Sequence, residues 1–552
     1  MDMKKILLFS ILAVIGLNGC QLDREPETVL TDTNFWKSET DFRGACNRLY
    51  IDLPGFGHDY RSDEIIGTSQ NGISSGNRTV PGTSSDWTDP YNRIGVANNI
   101  IKKISASSQS EAIKNRWLAE AYFFRAYNYF DLVKKYGDVP LILKAFETTD
   151  DPDIKMPRTP REQVIQQCYQ DLEFAYQWLP DIDDVSSVTD WGRVSKSAAL
   201  GMLTRVGLYE GTFAKYHGLT SDYKAHLKKS IDAAEALIKT GKHALNPDFY
   251  RMFLFDGEGR QNKENVFVKI YGPNDAGIIV HNNSRTLENA ASVTRQTIDQ
   301  FLYKDGLPRK LSSMAIIPDT SFDDVFANRD PRLGMTIFKL HENAYKGEYI
   351  PFTNQHGNGY PIKKGFMLDQ WQLNSRETVD KMIIRYAEIL LSYAEALYEY
   401  NGSITDAQLD MTVNVVRERS GMTVRLTNDF VSSHGLNMLD EIRRERLVEF
   451  IDEGLHYDDI IRWKTAEKVL PTDMLGIKYV STETSADKKT IGGRLTTDGG
   501  MFQEKKVYDQ ADIYVIESGD TRSFNPDRDY YYPIPSYEIG TSDGSLIQNP
   551  NW

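Results

Sequence analysis

The sequence predicts a mostly α-helical protein in which a scaffold of packed helix pairs carries long, irregular, loop-rich regions. Three observations lead there. Apolar residues recur at helical spacing in two blocks, residues 116–242 and 383–463. Tracts rich in Gly, Ser, Asn, Asp and Pro occupy 52–92, 246–380 and 471–552, and they are too long to be plain connections. Aromatic residues make up 11% of the chain, with 30 Tyr and 8 Trp, and such rings serve both a core and a surface for amphipathic ligands.

In chain order, the first element is an address. Lys4 and Lys5 precede ILLFSILAVIGL, which is shorter than the ~20 apolar residues of a membrane span and has the form of a secretory signal. It ends in Leu17-Asn18-Gly19-Cys20, which resembles a lipobox; residues 1–19 are then a signal peptide and Cys20 the lipidated first residue. Multiple acyl chains there would anchor the chain stably where one would not. Asp23, Glu25 and Glu27 make residues 20–30 an acidic tether and resemble an export tag of surface lipoproteins.

The helical signals follow. Trp117, Ala121, Phe124, Asn128 and Leu132 share a face of 116–138, which Gly137 closes. In 159–180, Thr159, Pro160 and Glu162 predict an N-cap, a first-turn proline and a capping box. Ala198, Gly201 and Gly207 in 194–211 would let a second helix approach closely, and 222–242 ends at Gly241. In 383–402, Tyr386, Leu390, Tyr393 and Leu397 form an apolar stripe, and Glu388, Ser392, Glu395 and Glu399 an opposing polar one. Segments 406–421 and 439–454 complete the second block. The Ala, Leu and Tyr usage resembles tetratricopeptide (TPR) repeats without a strict period. The expected division is 31–245, with its helices, and 246–552, made of loop-rich 246–380, helical 381–465 and irregular 466–552.

Motifs for chemistry are weak. The net charge of −14 excludes a nucleic-acid partner, which needs a basic face. GISSG (72–76) has neither the strand nor the helix of a nucleophile elbow. The histidines form no zinc pattern, and no cofactor is expected beyond the lipid on Cys20. Asn525, Asp527 and Asp529 begin like a calcium loop but lack its Gly and Glu, so a turn leading into a strand is the better reading, with a structural calcium left open. Cys46 and Cys168 read as two buried free thiols, a disulfide being the alternative. In 441–463, Arg443, Arg444 and Arg446 interleave with Glu441, Glu445, Glu449 and Glu453, which reads as a salt-bridged, partly buried structural helix rather than a phosphate site. No motif supports an enzyme.

Eight segments, in order, carry a resemblance: WTDPYNRIGVANNII (87–101), RWLAEAYFFRAYNYFDLVKKYGDVPLIL (116–143), VSKSAALGMLTRVGLYEG (194–211), RDPRL (329–333), IIRYAEILLSYAEALYE (383–399), EIRRERLVEFIDEGLHYDDIIRW (441–463), YYYPIP (530–535) and QNPNW (548–552). The chain resembles the SusD/RagB outer-membrane lipoproteins of the Bacteroidetes. That resemblance implies a right-handed superhelix of about four TPR-like helix pairs with a loop-rich binding half. It implies no catalysis, a glycan ligand (or peptide, in RagB-like members), cell-surface exposure at the outer membrane, and a SusC-like TonB-dependent transporter as partner.

Binding a sugar chain needs aromatic faces for C–H groups and polar side chains for hydroxyls. The loops offer Asp63, Arg78 and Trp87 in 52–92, with Trp87 either a platform or a core anchor; Tyr271, Asn274, His281 and Asn282 in 271–290, a binding loop or a surface turn; and Trp371, with Asp369 and Gln372, a platform or a packing residue. The rival readings are the same fold binding peptides or glycoproteins, a structural TPR adaptor, and a secreted hydrolase.

Overall fold

The computed structural model describes residues 35–552 except 68, 186, 188, 221, 275–276, 346, 352–358 and 485–511. The signal segment, Cys20 and the acidic tether lie outside the described residues. The helices that build the scaffold are α1 (Glu39–Ile51), α2 (Ser85–Ser105), α3 (Glu111–Tyr136), α4 (Arg161–Trp178), α5 (Lys196–His217) and α6 (Tyr223–Lys239). In the second half come α7 (Asn283–Ala290), α8 (Leu368–Leu373), α9 (Tyr386–Asn401), α10 (Met438–Glu449) and α11 (His456–Arg462). Helix–turn–helix units α2/α3, α5/α6 and α9 with the broken helix 406–419 form a TPR-like superhelix, with α4 packed between α3 and α5, α10 packed on α9 and α11 on α5.

Short strands tie the loops to it. β1 (Ile65–Ile66), β5 (Ser292–Val293) and β6 (Tyr360–Pro361) make a three-stranded sheet in the order β1–β5–β6. The other pairs, all antiparallel, are β2 (Asn265–Lys269) with β7 (Lys381–Arg385), β3 (Gly272–Asn274) with β4 (Gly277–Ile279), and β8 (Met474–Lys478) with β9 (Ile513–Glu517).

Local chemistry sets the ends. Ser38 and Asp41 form a capping box on α1. Gly137 closes α3 at φ 73°, a conformation that a side chain disfavours. Thr159 does not cap α4: the helix starts one residue later, Pro160 sits at the N-cap without a side-chain bond, and Thr159 pairs with Val139 as an isolated bridge. The Asp138 carboxylate takes over, accepting from the Arg161 amide at 2.7 Å, while Glu162 turns away to Gln166 and His226. Gly207 does admit α6, since a Cβ there would lie 2.6 Å from the Ser230 amide nitrogen. Gly201 faces Val266 and Ile384 of β2 and β7 instead.

One apolar core runs from α1 through the helices to Ile534, a second lies under the loop-rich half around Phe301, Phe338 and Tyr360, and a third joins α9 to 404–450. Cys46 and Cys168 are buried free thiols, facing the carbonyls of Trp117 and Ala126. The turn at 526–530 leads into an extended segment without strand pairing. Its Asp529 carboxylate is taken up by Arg528 and the Asn525 amide. The C-terminus is sewn to the scaffold: Asn549 donates to the carbonyls of Tyr136 and Tyr532.

The polar stripe of α9 is not a solvent face. Glu388, Ser392, Glu395 and Glu399 are all buried, and each meets a cation from another helix: Arg205, Arg446, Arg462, and Arg443 with Lys215. A second buried lattice links α10 to the loops. Glu449, fully buried, receives Arg385 at 2.6 Å, Arg332 at 2.9 Å and Arg419. Arg385 also reaches Glu264 at 2.8 Å and Glu453 at 2.7 Å. Burial alone would raise the Glu449 pKa, but Arg419, Arg385 and Arg332 outweigh it and hold the carboxyl well below the usual range. Removing it takes a buried carboxylate from three guanidinium groups at once and leaves them to Asp330, Glu445, Glu264 and Glu453. Glu449→Ala is therefore expected to cost ~3–5 kcal/mol in urea denaturation. A loss of under ~1 kcal/mol, the size of an exposed pair, would contradict this account.

Candidate ligand-binding face

Three loop segments converge on one side of the loop-rich half: 52–64, the β3–β4 hairpin with α7, and α8 with 374–380. His58 starts the junction, its Nδ1 lying 2.8 Å from Asp452 Oδ1 and its Nε2 3.3 Å from Thr286 Oγ1 on α7. Burial alone would lower its pKa, but Asp452 outweighs that and raises it. Phe56 packs against His281, with ring centroids 4.3 Å apart, and His281 meets Tyr271 edge-on at 4.6 Å. His281 Nε2 donates to the Val379 carbonyl at 3.0 Å and Nδ1 accepts from the Asn283 amide at 3.1 Å. Burial pushes its pKa down to about 4, so it stays neutral and fixes the hairpin to 377–379. Asp380 accepts from the Tyr271 amide at 2.8 Å and from Trp191 Nε1 at 3.4 Å, and burial raises it to about 6.

Trp371 stands at the edge of this junction. Its indole N–H donates to Glu288 at 2.7 Å, and the Arg285 guanidinium covers one ring face at 3.9 Å while donating to the Trp371 carbonyl. Both partners come from α7, so the half-buried ring is locked in orientation. Next to it Asn374 and Ser375 take φ of 47° and 60°, two successive left-handed residues without glycine. Asn282 holds this turn, its Oδ1 accepting from the Ser375 amide at 2.9 Å. Backbone strain of this kind collects at ligand sites. Gln372, Asn374, Ser375 and Arg376 are exposed here, with Leu373 and Val280 as exposed apolar neighbours. The face thus offers amide, hydroxyl and guanidinium groups around an aromatic edge.

The structure gathers His281, Asn282 and Trp371 at this face, with Tyr271 directly behind it, only 9% exposed. Asn274 lies in β3; its side chain is outside the described residues. The remaining candidates have structural partners instead. Asp63 is a clamp: its carboxylate accepts from His456 Nε2 at 2.8 Å and its carbonyl from Thr294. Arg78 donates to the carbonyls of Asp529 and Tyr531 and stacks on Tyr532 and Trp552, locking the C-terminus. Trp87 is a core anchor, 4% exposed and edge-on to Tyr136. Phe56, Arg285, Glu288 and Ser375 went unselected from sequence. Only the Asn-Ser dipeptide at 374–375 gave a local signal, as a turn. Among the described residues, no group of three or more His, Cys, Asp or Glu side chains is placed to hold a metal.

A TPR-like superhelix carrying a loop-built face of aromatic and polar side chains defines a recognisable class. The chain belongs to the SusD family, whose sequence profile matches residues 249–552, more than half of it. A second profile, described as "Starch-binding associating with outer membrane", matches residues 60–208. SusD-like protein P2 of Formosa agariphila is 26% identical over 504 residues, covering 85% of this chain and 92% of that protein. A SusD-like protein of Bacteroides ovatus is 25% identical over 574 residues, covering 99% and 97%. Among solved structures, a SusD-like carbohydrate-binding protein of Bacteroides fragilis superposes with a TM-score of 0.73 at 24% identity, covering 92% of this chain and 98% of that one. Surface glycan-binding protein A of Bacteroides uniformis gives 0.61 at 19% identity, covering 93% and 99%.

The clamp beneath the face titrates. Burial raises Glu64 to about 8. Burial alone would lower His456, but the Asp63 carboxylate outweighs it and raises this histidine to about 9. Each group holds its proton in the folded state after losing it in the unfolded chain: Glu64 from about pH 4.5 to 8, and His456 from about 6.5 to 9. Their stabilising effect is therefore full at the acid end of each window and lost as pH rises through it. Thermal unfolding is expected to show stability falling from about pH 6.5 to 9, and falling less steeply in Glu64→Gln. An unchanged slope in that variant would contradict the assignment.

Proposed function

We propose that the protein is a cell-surface lipoprotein that captures oligo- or polysaccharide at the 280–290/368–376 face and delivers it to a SusC-like TonB-dependent transporter. The observation that carries the reading is Trp371, held rigid by Arg285 and Glu288 beside the strained, polar 374–375 turn. Sugar rings present C–H faces and a rim of hydroxyls, and this face supplies an aromatic edge with amide, hydroxyl and guanidinium partners. Support also comes from the starch-binding description of the matched profile and from solved relatives described as carbohydrate- or glycan-binding. The role is binding without catalysis. Among the described residues no helix is long and apolar enough to cross a membrane, which suits attachment through lipid on Cys20 and association with the outer membrane.

Calorimetric titration against plant, host and fungal polysaccharides, with peptides in the same panel, tests the ligand. One glycan is expected to bind saturably, with affinity falling ~tenfold or more in Trp371→Ala, as for a central aromatic contact, and holding in Trp87→Phe. Glycan affinity untouched by Trp371→Ala would move the site elsewhere, and binding of peptides alone would sink the glycan reading. For the anchor, Cys20→Ala is expected to shift the protein from the membrane fraction to the soluble one; unchanged partitioning would refute lipidation at Cys20.

A further inference from the structure

A cavity of about 230 Å³ lies where the starts of α2 and α11, the end of α3 and the middle of α5 meet the C-terminal tyrosines and Arg61 of the 52–64 segment. It is smaller than the ~300–1,000 Å³ of a drug-sized pocket yet several times the ~30 Å³ of a water molecule. That is room for one sugar-sized ring.

Every cation at the cavity is paired. Lys134 pairs with Asp458 at 2.5 Å, and Lys135 with Asp86 at 2.8 Å and Asp131 at 3.0 Å. The remaining cation, Arg61, is held bidentate by Asp59 at 2.7 and 2.8 Å. Three cations thus face four carboxylates, and no cation is left over to recruit an anion. Hydrogen-bonding capacity is left over, however. An ammonium has three donors and a carboxylate about four acceptor sites, and these pairs use only part of them.

The floor adds a sharper observation. Tyr209 and Tyr457, each residue only 4% exposed, line the cavity, and neither hydroxyl has a hydrogen-bond partner among the described residues. Each hydroxyl keeps contact with solvent and has both its donor and its acceptor capacity free, so the two suit an occupant that both donates and accepts. Ile73 and Ile461 provide apolar wall between the polar groups. The rim is open: the Asp86 and Asp131 side chains are 45% and 31% exposed.

We propose that this cavity is a second ligand site, built for one neutral polyhydroxylated ring such as a monosaccharide or a single terminal residue of a chain. Tyr209 and Tyr457 bond it from below, and the Lys134–Asp458 and Lys135–Asp131 pairs bond it from the sides. A sugar acid is disfavoured, because its carboxylate meets no free cation and must face Asp86, Asp131 and Asp458. Trp371, Arg285, Glu288 and the 374–376 turn take no part in this site, which stands independently of them.

The test is saturation-transfer NMR on the full chain with D-glucose, D-galactose, D-mannose and N-acetyl-D-glucosamine, and D-glucuronate as the charged probe. Tyr209→Phe, Tyr457→Phe and the double variant keep the ring volume, and their melting curves report folding. At least one neutral sugar is expected to bind saturably. Its affinity should fall ~tenfold or more in the double variant, the loss of two buried hydrogen bonds, hold in Trp371→Ala, and exceed that for D-glucuronate. A crystal soaked in that sugar should show it in the cavity. Silence from every neutral sugar with only water in the soaked cavity, full affinity in the folded double variant, loss of binding in Trp371→Ala, or tightest binding of D-glucuronate would each overturn the proposal.

Discussion

The lattice around Glu449 is the constraint on which the two halves of this protein depend. It joins α10 of the superhelix to Glu264, the residue before β2, to β7 through Arg385, and to the RDPRL segment through Arg332. A lone charge at these depths would be untenable; a mutually neutralising set with matched geometry is tolerated and is highly specific in register. Apolar packing alone would let the loop-rich half slide on the helices. Arginines aimed at particular carboxylates do not.

That fixed junction explains how an irregular half presents a defined face. Arg385 orients β7, β7 continues back to Asp380, and Asp380 holds the Tyr271 amide at the foot of the β3–β4 hairpin. From the other side, His58 and Asp63 pin the 52–64 loop to Asp452 and His456, just beyond α10. Trp371 then needs only two partners on α7 to be locked. Each link is short and polar, so hydrogen bonds add register to the apolar core that also joins the loops to the end of α10 through Val448 and Ile451.

Much of the scaffold was legible. Apolar spacing marked α3, α5, α6 and α9, Gly137 marked an end, and Gly207 marked a close helix approach, because each signal acts within a few residues of where it is read. The alternation of Arg and Glu in 441–463 correctly indicated ion pairing. Its partners were invisible: Glu449 meets arginines 30, 64 and 117 residues away in sequence. The stripe of Glu388, Glu395 and Glu399 shows the same limit, since helical periodicity separates faces without saying whether a polar face meets water or a neighbour's guanidinium groups. The cap at Thr159 failed for a similar reason: Asp138, 23 residues upstream, supplied the better acceptor.

The sequence by itself determined the class: a helical scaffold, long ordered loops, an acidic chain and a lipobox-like start, all properties of composition and short-range pattern. It also named residues of the face, His281, Asn282 and Trp371, because loop composition and an isolated tryptophan are local facts. Only the tertiary structure decided the roles. It sent Trp87 to the core, Arg78 to the C-terminus and Asp63 to a histidine clamp, and it placed Arg285 on Trp371. It also brought Tyr209 and Tyr457, 248 residues apart, to the floor of one cavity. The physical reason is that a side chain's role is set by which groups desolvate it and which complete its hydrogen bonds, and those groups come from segments far away along the chain.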